Sequence, residues 1–341
     1  MNIGIAGCGL VAREHMRALE KLETARVVAL CDSNERALAA TSKEWSISSC
    51  YTDYEKMLDC EQLDVVSILT PPQSHRILAV QAIRRNVNVL VEKPLTTSMA
   101  EADLILESLR SSEAKLMVEY VMLFSRIMSR ASDLMKKGLI GEILGAEISF
   151  LCTKDDPMAS NEKHWCHKMP GGRLGEMLPH PIYVLQSILG NELEVERVTS
   201  AKRGNYPWMH KDELKVLLRG SKGWGDIYAS FNAARPAIFV DVYGTRKILR
   251  ADLINHTLVK LGPRGLSKVD SARDSLRQSG RLFFSTMMNA MGFLRTARME
   301  NSLRNVYASF LNSIETNTRP VVTPEFARET VRTAEQICKW I

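Results

Sequence analysis

Apolar positions in the first third of the chain alternate between two rhythms, short continuous runs and helical spacing. Asn2-Ile3-Gly4-Ile5-Ala6 reads as a buried strand and Ala12 to Leu22 as a helix. Arg26 to Cys31, Asp64 to Leu69, Asn88 to Val91 and Lys115 to Tyr120 read as further strands. Between them Arg36 to Trp45, Tyr54 to Leu58, Ser74 to Asn86 and Met99 to Ser111 read as helices. Such alternation predicts a parallel sheet with helices on both faces. Past residue 120 the rhythm changes. Phe124 to Lys137 is helical, and Leu144 to Phe150, Leu214 to Leu218, Gly225 to Phe231, Ile238 to Tyr243, Lys247 to Asp252 and Thr257 to Leu261 are short strands. Strands joined this closely pair antiparallel, because parallel neighbours need a crossover of about a dozen residues. The expected fold is α/β in two domains, 1–120 and 121–341, the second with an open, largely antiparallel sheet whose far face needs a cover.

Strand Asn2–Ala6 runs into Gly7-Cys8-Gly9-Leu10-Val11-Ala12 and then a helix. Glycines at 7 and 9 suit a tight turn that brings bare backbone against a pyrophosphate, and Ala12 permits close helix–strand packing. The helix start adds unpaired N–H groups and a positive dipole end. The second strand ends at Asp32, 20 residues beyond Ala12. A carboxylate there can accept from both adenosine ribose hydroxyls and repels a 2′-phosphate, which favours NAD over NADP; the alternative is a cap on the next helix, before Ser33 and Asn34. The first domain thus reads as a Rossmann domain. Its ligands lie outside the carboxyl ends of the strands, where Asp32, Thr70-Pro71-Pro72-Gln73-Ser74-His75 and Glu92-Lys93-Pro94 also fall.

Composition narrows the class. With 341 residues, 45% hydrophobic and 25% charged, the chain is typical of a globular protein of two domains. No apolar run approaches the roughly 18 residues that span a bilayer. The chain opens on the cofactor strand itself, and a cytoplasmic protein is expected. Seven scattered cysteines without a CxxC pair indicate reduced packing residues rather than a disulfide framework or zinc site. The net charge of +6 suits an anionic dinucleotide or nucleotide-linked substrate, and no nucleic-acid-binding motif is present.

Gly7 to Ala12, Thr70-Pro71-Pro72-Gln73-Ser74-His75 and Glu92-Lys93-Pro94, in that order and spacing, resemble the Gfo/Idh/MocA oxidoreductases. The resemblance extends through Lys137-Gly138-Leu139-Ile140-Gly141-Glu142, Gly171-Gly172-Arg173-Leu174, His180 and Arg319-Pro320-Val321-Val322, leaving out roughly 264–300. It implies that Gly7, Cys8, Gly9, Leu10, Val11, Asp32, Ser33, Thr70, Pro71, Pro72, His75, Glu92 and Lys93 surround NAD. It also implies that a second subunit often covers the open sheet, so a homodimer or homotetramer is expected.

Lys93 is the leading catalytic candidate. An amine at that strand end can hydrogen-bond a substrate oxygen and stabilise alkoxide character, the role the resemblance implies. His180 follows, since histidine shuttles protons near neutrality. Glu176, four residues earlier where the family usually has Asp, would share a helix face with it and orient the ring or relay charge. Leu178 stands for the usual Gly and Tyr183 for a usual Asp or Asn; these departures bear on substrate and proton path. Tyr183 and Arg173 are further substrate candidates, with Lys163 and Trp165 from the loop before Gly171. Glu119 and Tyr120, at the last strand's end, are also placed to face the pocket. His164, Cys166 and His167 fit no structural-zinc spacing, so no metal is expected.

The segment 264–300 carries Arg264, Lys268, Arg273, Arg277, Arg281, Arg295 and Arg298 against Asp270, Asp274 and Glu300, around an apolar centre at mostly helical spacing. An amphipathic helical insertion is expected there, covering the sheet or another subunit ahead of a membrane surface. The activity expected overall is NAD-dependent hydride transfer at a CH–OH or keto carbon of a sugar, nucleotide sugar or cyclitol. The alternatives are a redox-neutral NAD-retaining epimerase, lyase or glycosidase, and a non-catalytic dinucleotide-binding sensor or scaffold.

Overall fold

The computed structural model describes residues 1–263, 267–293 and 298–341, with side chains described for all of these except 288–301. Arg264, Arg295 and the side chains of Arg298 and Glu300, named above, therefore lie outside the description, as do Leu294 and the side chains of Met288, Met291 and Phe293 from the apolar centre of the same segment.

In chain order the elements are β1 (Asn2–Ala6), α1 (Leu10–Leu19), β2 (Arg26–Cys31), α2 (Glu35–Trp45), β3 (Ser49–Tyr51), α3 (Tyr54–Cys60), β4 (Val65–Ile68), α4 (His75–Ile83), β5 (Asn88–Val91), α5 (Met99–Arg110) and β6 (Leu116–Val118). There follow α6 (Arg126–Lys136), β7 (Ile143–Leu151), α7 (Pro157–Ser160), α8 (Gly172–Met177), α9 (Pro179–Leu189), β8 (Glu194–Ala201), β9 (Glu213–Gly220) and β10 (Gly223–Ser230). The chain closes with β11 (Ala237–Gly244), β12 (Ile248–Asp252), β13 (Thr257–Leu261), α10 (Lys268–Phe293), α11 (Arg298–Glu315) and α12 (Pro324–Cys338). The residues group into two compact units, Met1–Phe124 with Arg298–Arg332, and Ser125–Ala297 with Thr333–Ile341.

In the first unit six strands pair in the order β3-β2-β1-β4-β5-β6, and every pairing is parallel. All four residues of β4 are buried, as expected of a parallel strand covered on both faces. Strand order reverses between β1 and β4, and that switch point is where such sheets bind ligands. Local chemistry sets the helix starts. Asn34 caps α2, its Oδ1 accepting from the Arg36 and Ala37 N–H groups at 3.1 and 3.3 Å. The late helix α11 packs on α1 and brings Tyr307 and Phe310 into complete burial.

The second unit is built on seven strands, β13-β12-β11-β7-β10-β9-β8. Its pairings are antiparallel except β7 with β10, so the sheet is mixed. The exception has a reason: β7 and β10 are separated by α7 to α9 and two strands, a crossover long enough for parallel pairing. Ala146, Ile148 and Phe150 of β7 are buried with Leu214, Val216 and Leu218 of β9 and Ile227 and Ala229 of β10, and α9 packs on all three strands. The period-2 alternation sends Glu147, Leu217, Asp226 and Tyr243 to the other face, where with Trp224, 52% exposed, they line a cavity of about 380 Å3. Two strands escaped the sequence reading. β3 is three residues long, and the edge strand β8 leaves five of its eight residues exposed, so neither carries the apolar alternation of a core strand.

Candidate cofactor and substrate sites

Gly7 adopts φ +103°, and a Cβ there would stand 2.8 Å from the Leu69 carbonyl, so only glycine fits the turn after β1. Gly9 is the N-cap of α1 and caps it with no side chain. A Cβ on Gly9 would meet nothing within 4 Å, so the turn faces open space on that side. Leu10 and Val11 follow, 87% and 44% exposed. Asp32 Oδ2 accepts from the Cys8 N–H at 2.7 Å, and its Oδ1 from the Asn34 N–H at 2.8 Å. The cap of α2 is thus Asn34, while Asp32 ties the glycine turn to the end of β2, with exposed Ser33 between them. Cys8 is buried, and that burial, with Asp32 adding, pushes its thiol up to about 12. It packs rather than reacts. The bare helix start, the open space beyond Gly9 and the carboxylate at the tip of β2 suit a dinucleotide: backbone for the pyrophosphate, Asp32 for the ribose.

Along the same edge the Thr70 hydroxyl meets the Ser74 hydroxyl at 2.6 Å, and Pro71 and Pro72 lead into α4. His75 was expected beside the cofactor. It is instead fully buried, with Nδ1 2.8 Å from the Pro94 carbonyl and Nε2 2.9 Å from the Thr70 carbonyl. Its ring staples the loop after β4 to the loop after β5.

Glu92 closes β5. Its Oε2 accepts from the Lys93 N–H at 3.0 Å and its Oε1 lies 3.0 Å from His15 Nε2. His15 Nδ1 is 2.9 Å from the Tyr307 hydroxyl, which is 2.9 Å from Ser67 Oγ. One polarity that satisfies the chain has Ser67 donating to Tyr307, Tyr307 to Nδ1, and Nε2–H to Glu92. Burial works to raise the Glu92 carboxyl, but His15 and Lys93 outweigh it and hold the group below its ordinary value. An ionised Glu92 thus fixes the backbone of half-buried Lys93. Neither His15 nor Tyr307 carries a local sequence signal, since 292 residues separate them.

Glu119, beyond β6, behaves oppositely. Burial, reinforced by the charge of Glu92, raises its carboxyl well above the ordinary value of 4.5 against the pull of Lys93. Its Oε1 is buried with no hydrogen-bond partner among the described residues. Being raised, the group favours folding in its protonated form, and that contribution is lost as pH rises through the folded pKa. Glu119→Gln mimics the neutral acid, so wild type should lose stability relative to this variant as pH climbs above the carboxylate range, measured as urea midpoints across a pH series. Tyr120, expected to face substrate, is fully buried and packs edge-on against Phe326 at 6.1 Å. It belongs to the core.

In the second unit, α8 is capped by Gly171 and starts at Gly172, both at positive φ. Arg173 was expected to bind substrate. It is 8% exposed and holds Asp156 through Nε and Nη2 at 3.1 and 3.2 Å. It also donates to Glu176, and its guanidinium lies 4.9 Å from the Phe231 ring centroid. Although burial works to lower its pKa, Glu176 and Asp156 keep it above the ordinary value. Arg173 is a buried clamp between the loop after β7 and α8. His180 lies in the first turn of α9, with Nδ1 3.0 Å from the Tyr183 hydroxyl and its ring stacked on Phe150 at 5.9 Å. Tyr183, a substrate candidate in the sequence, is fully buried and braces that imidazole. Lys163 is exposed and Trp165 partly so, on the loop before α8. Within that loop His164 Nδ1 accepts from the Cys166 N–H at 3.3 Å, and His167 Nε2 is 3.0 Å from the Met158 carbonyl.

A glycine turn and acidic strand tip on a 3-2-1-4-5-6 parallel sheet, in a chain whose second unit carries a mixed sheet, define a dinucleotide-binding α/β protein. The chain belongs to the Gfo/Idh/MocA oxidoreductase family. Residues 1–120 match its NAD-binding Rossmann fold and residues 128–250 its C-terminal domain. Oxidoreductase P35 of Formosa agariphila is 28% identical over 218 residues, which cover 62% of this chain and 67% of that protein. D-apiose dehydrogenase of Paraburkholderia graminis is 27% identical over 257 residues, covering 72% of this chain and 66% of that enzyme. The fold matches scyllo-inositol dehydrogenase from Lactobacillus casei, solved with NAD(H) and scyllo-inositol, at a TM-score of 0.81 and 18% identity, covering 100% of this chain and 96% of that one.

Proposed function

We propose that this protein is an NAD-dependent dehydrogenase or reductase acting on a CH–OH group, or the matching ketone, of a sugar, nucleotide sugar or cyclitol. The observation that carries the reading is the buttressed loop after β5, where Glu92, itself held by His15, fixes Lys93 at the sheet edge that also bears Asp32 and the glycine turn. The apiose and inositol dehydrogenases among its relatives support a polyol substrate. The glycine turn and Asp32 would hold NAD, which would supply the acceptor, or as NADH the donor, of the hydride exchanged with the substrate carbon. Lys93 donates a hydrogen bond to the reacting oxygen and stabilises its developing negative charge. His180, braced by Tyr183, removes the alcohol proton in oxidation and returns it in reduction. Glu176, paired with Arg173, supplies charge near the proton path, and Lys163 and Trp165 meet the substrate from their loop.

A panel of sugars, sugar nucleotides and cyclitols, in hydroxyl and keto forms, tests this by nicotinamide absorbance. Turnover with NAD is expected; no substrate-dependent change across the panel, or at least about tenfold tighter NADP than NAD, counts against it. A second copy of the chain over the sheet face bearing Trp224, in a dimer or tetramer, completes the reading. Seven free cysteines and a free dinucleotide substrate support a cytoplasmic location.

A further inference from the structure

Helix α10 plays no part in the chemistry above, yet its surface is organised. Arg273, Arg277 and Arg281 recur every four residues and so form one stripe. Arg277 and Arg281 join Arg126 and Arg130 of α6 and Lys260 of β13 around a cavity of about 610 Å3. Among the described residues lining it none is acidic. Arg281 donates to the Lys260 carbonyl, which holds its guanidinium at that wall. The acids of the described part of the helix are engaged locally, Asp270 with Ser267 and Asp274 with Gln278. Five like charges around one open space repel each other until an anion enters.

A second stripe runs beside the first, roughly a quarter turn away. Val269, Leu276 and Phe283 are spaced by seven and Met287 follows by four; they are 61, 73, 60 and 47% exposed. Phe284, 69% exposed, sits at the cavity rim. Among the described residues no helix is long and apolar enough to cross a membrane. A soluble polyanion would account for the cations but not the apolar stripe. A second copy would cover the stripe but bring a like-charged one against it. An anionic lipid surface satisfies both.

We propose that α10 and the cleft it forms with α6 and β13 dock the protein on an anionic phospholipid bilayer. Lipid phosphates seat among Arg126, Arg130, Lys260, Arg277 and Arg281, and the stripe from Val269 to Met287 enters the boundary between headgroups and acyl chains.

Flotation of the full chain with vesicles tests it. Binding to phosphatidylcholine–phosphatidylglycerol vesicles, absence of binding to phosphatidylcholine alone, and weakening with added salt are expected. Arg277→Glu with Arg281→Glu should reduce partitioning about tenfold or more. Arg126→Gln with Arg130→Gln, on the opposite wall, should act in the same direction, so the test survives if one variant misfolds by circular dichroism. Phe283→Ser with Met287→Ser should weaken binding at unchanged charge. The proposal falls if anionic vesicles are not bound, or if folded variants of both kinds bind as wild type does. It also falls if the protein binds inorganic pyrophosphate but no vesicle, which would make the cleft a soluble-anion site. A solution mass that drops on Phe283→Ser, without vesicle binding, would assign the stripe to a second copy instead.

Discussion

Lys93→Met lowers kcat by about 10²- to 10⁴-fold and leaves NAD binding close to that of the parent. Methionine keeps most of the length of the side chain and removes its charge, so the loop fixed by Glu92 and His15 stays in place while the reacting oxygen loses its donor. Because that interaction strengthens as negative charge develops, the loss falls mainly on kcat rather than KM. Steady-state kinetics and NAD titration on the same preparation check this. An unchanged kcat would remove Lys93 from the chemistry.

Arg173→Ala destabilises the second unit by about 3–5 kcal/mol. The guanidinium is buried with Asp156 on one side and Glu176 on the other, and truncation leaves two carboxylates together without a counter-ion. Their protonation relieves the cost, so the deficit should shrink as pH falls toward the ordinary carboxylate range. Denaturant midpoints at several pH values give both readings. A deficit that stays constant with pH would mean that lost packing against Phe231, not stranded charge, carries the effect.

The two variants sit at positions of unequal legibility. Lys93 stands out in the chain because its neighbours Glu92 and Pro94 and its place at a strand end are local facts. Arg173 reads as an available donor in a glycine-rich stretch, and only packing shows that it is spent on Asp156. His75 and Tyr120 repeat the lesson. Their residue types suit a pocket, but one is consumed by two backbone carbonyls and the other by the core. Phe326, which packs on Tyr120, and Tyr307, which closes the chain from Ser67 to Glu92, both come from helices near the end of the chain. No window of the sequence contains both partners.

By itself the sequence determined the parallel first sheet, the glycine turn, the acidic tip of β2 and the family, because each rests on residues adjacent in the chain. A positive φ at Gly7 admits little but glycine, and buried parallel strands admit little but apolar runs, so local conformation leaves its mark on residue type. The parallel pairing of β7 with β10, the return of Arg298–Arg332 to the first unit, and the partners of His15, Glu92, Arg173 and His180 were decided by tertiary structure. Those depend on which side chains meet once distant segments pack, and a polar residue looks the same in the chain whether its partner is solvent, substrate or another buried charge.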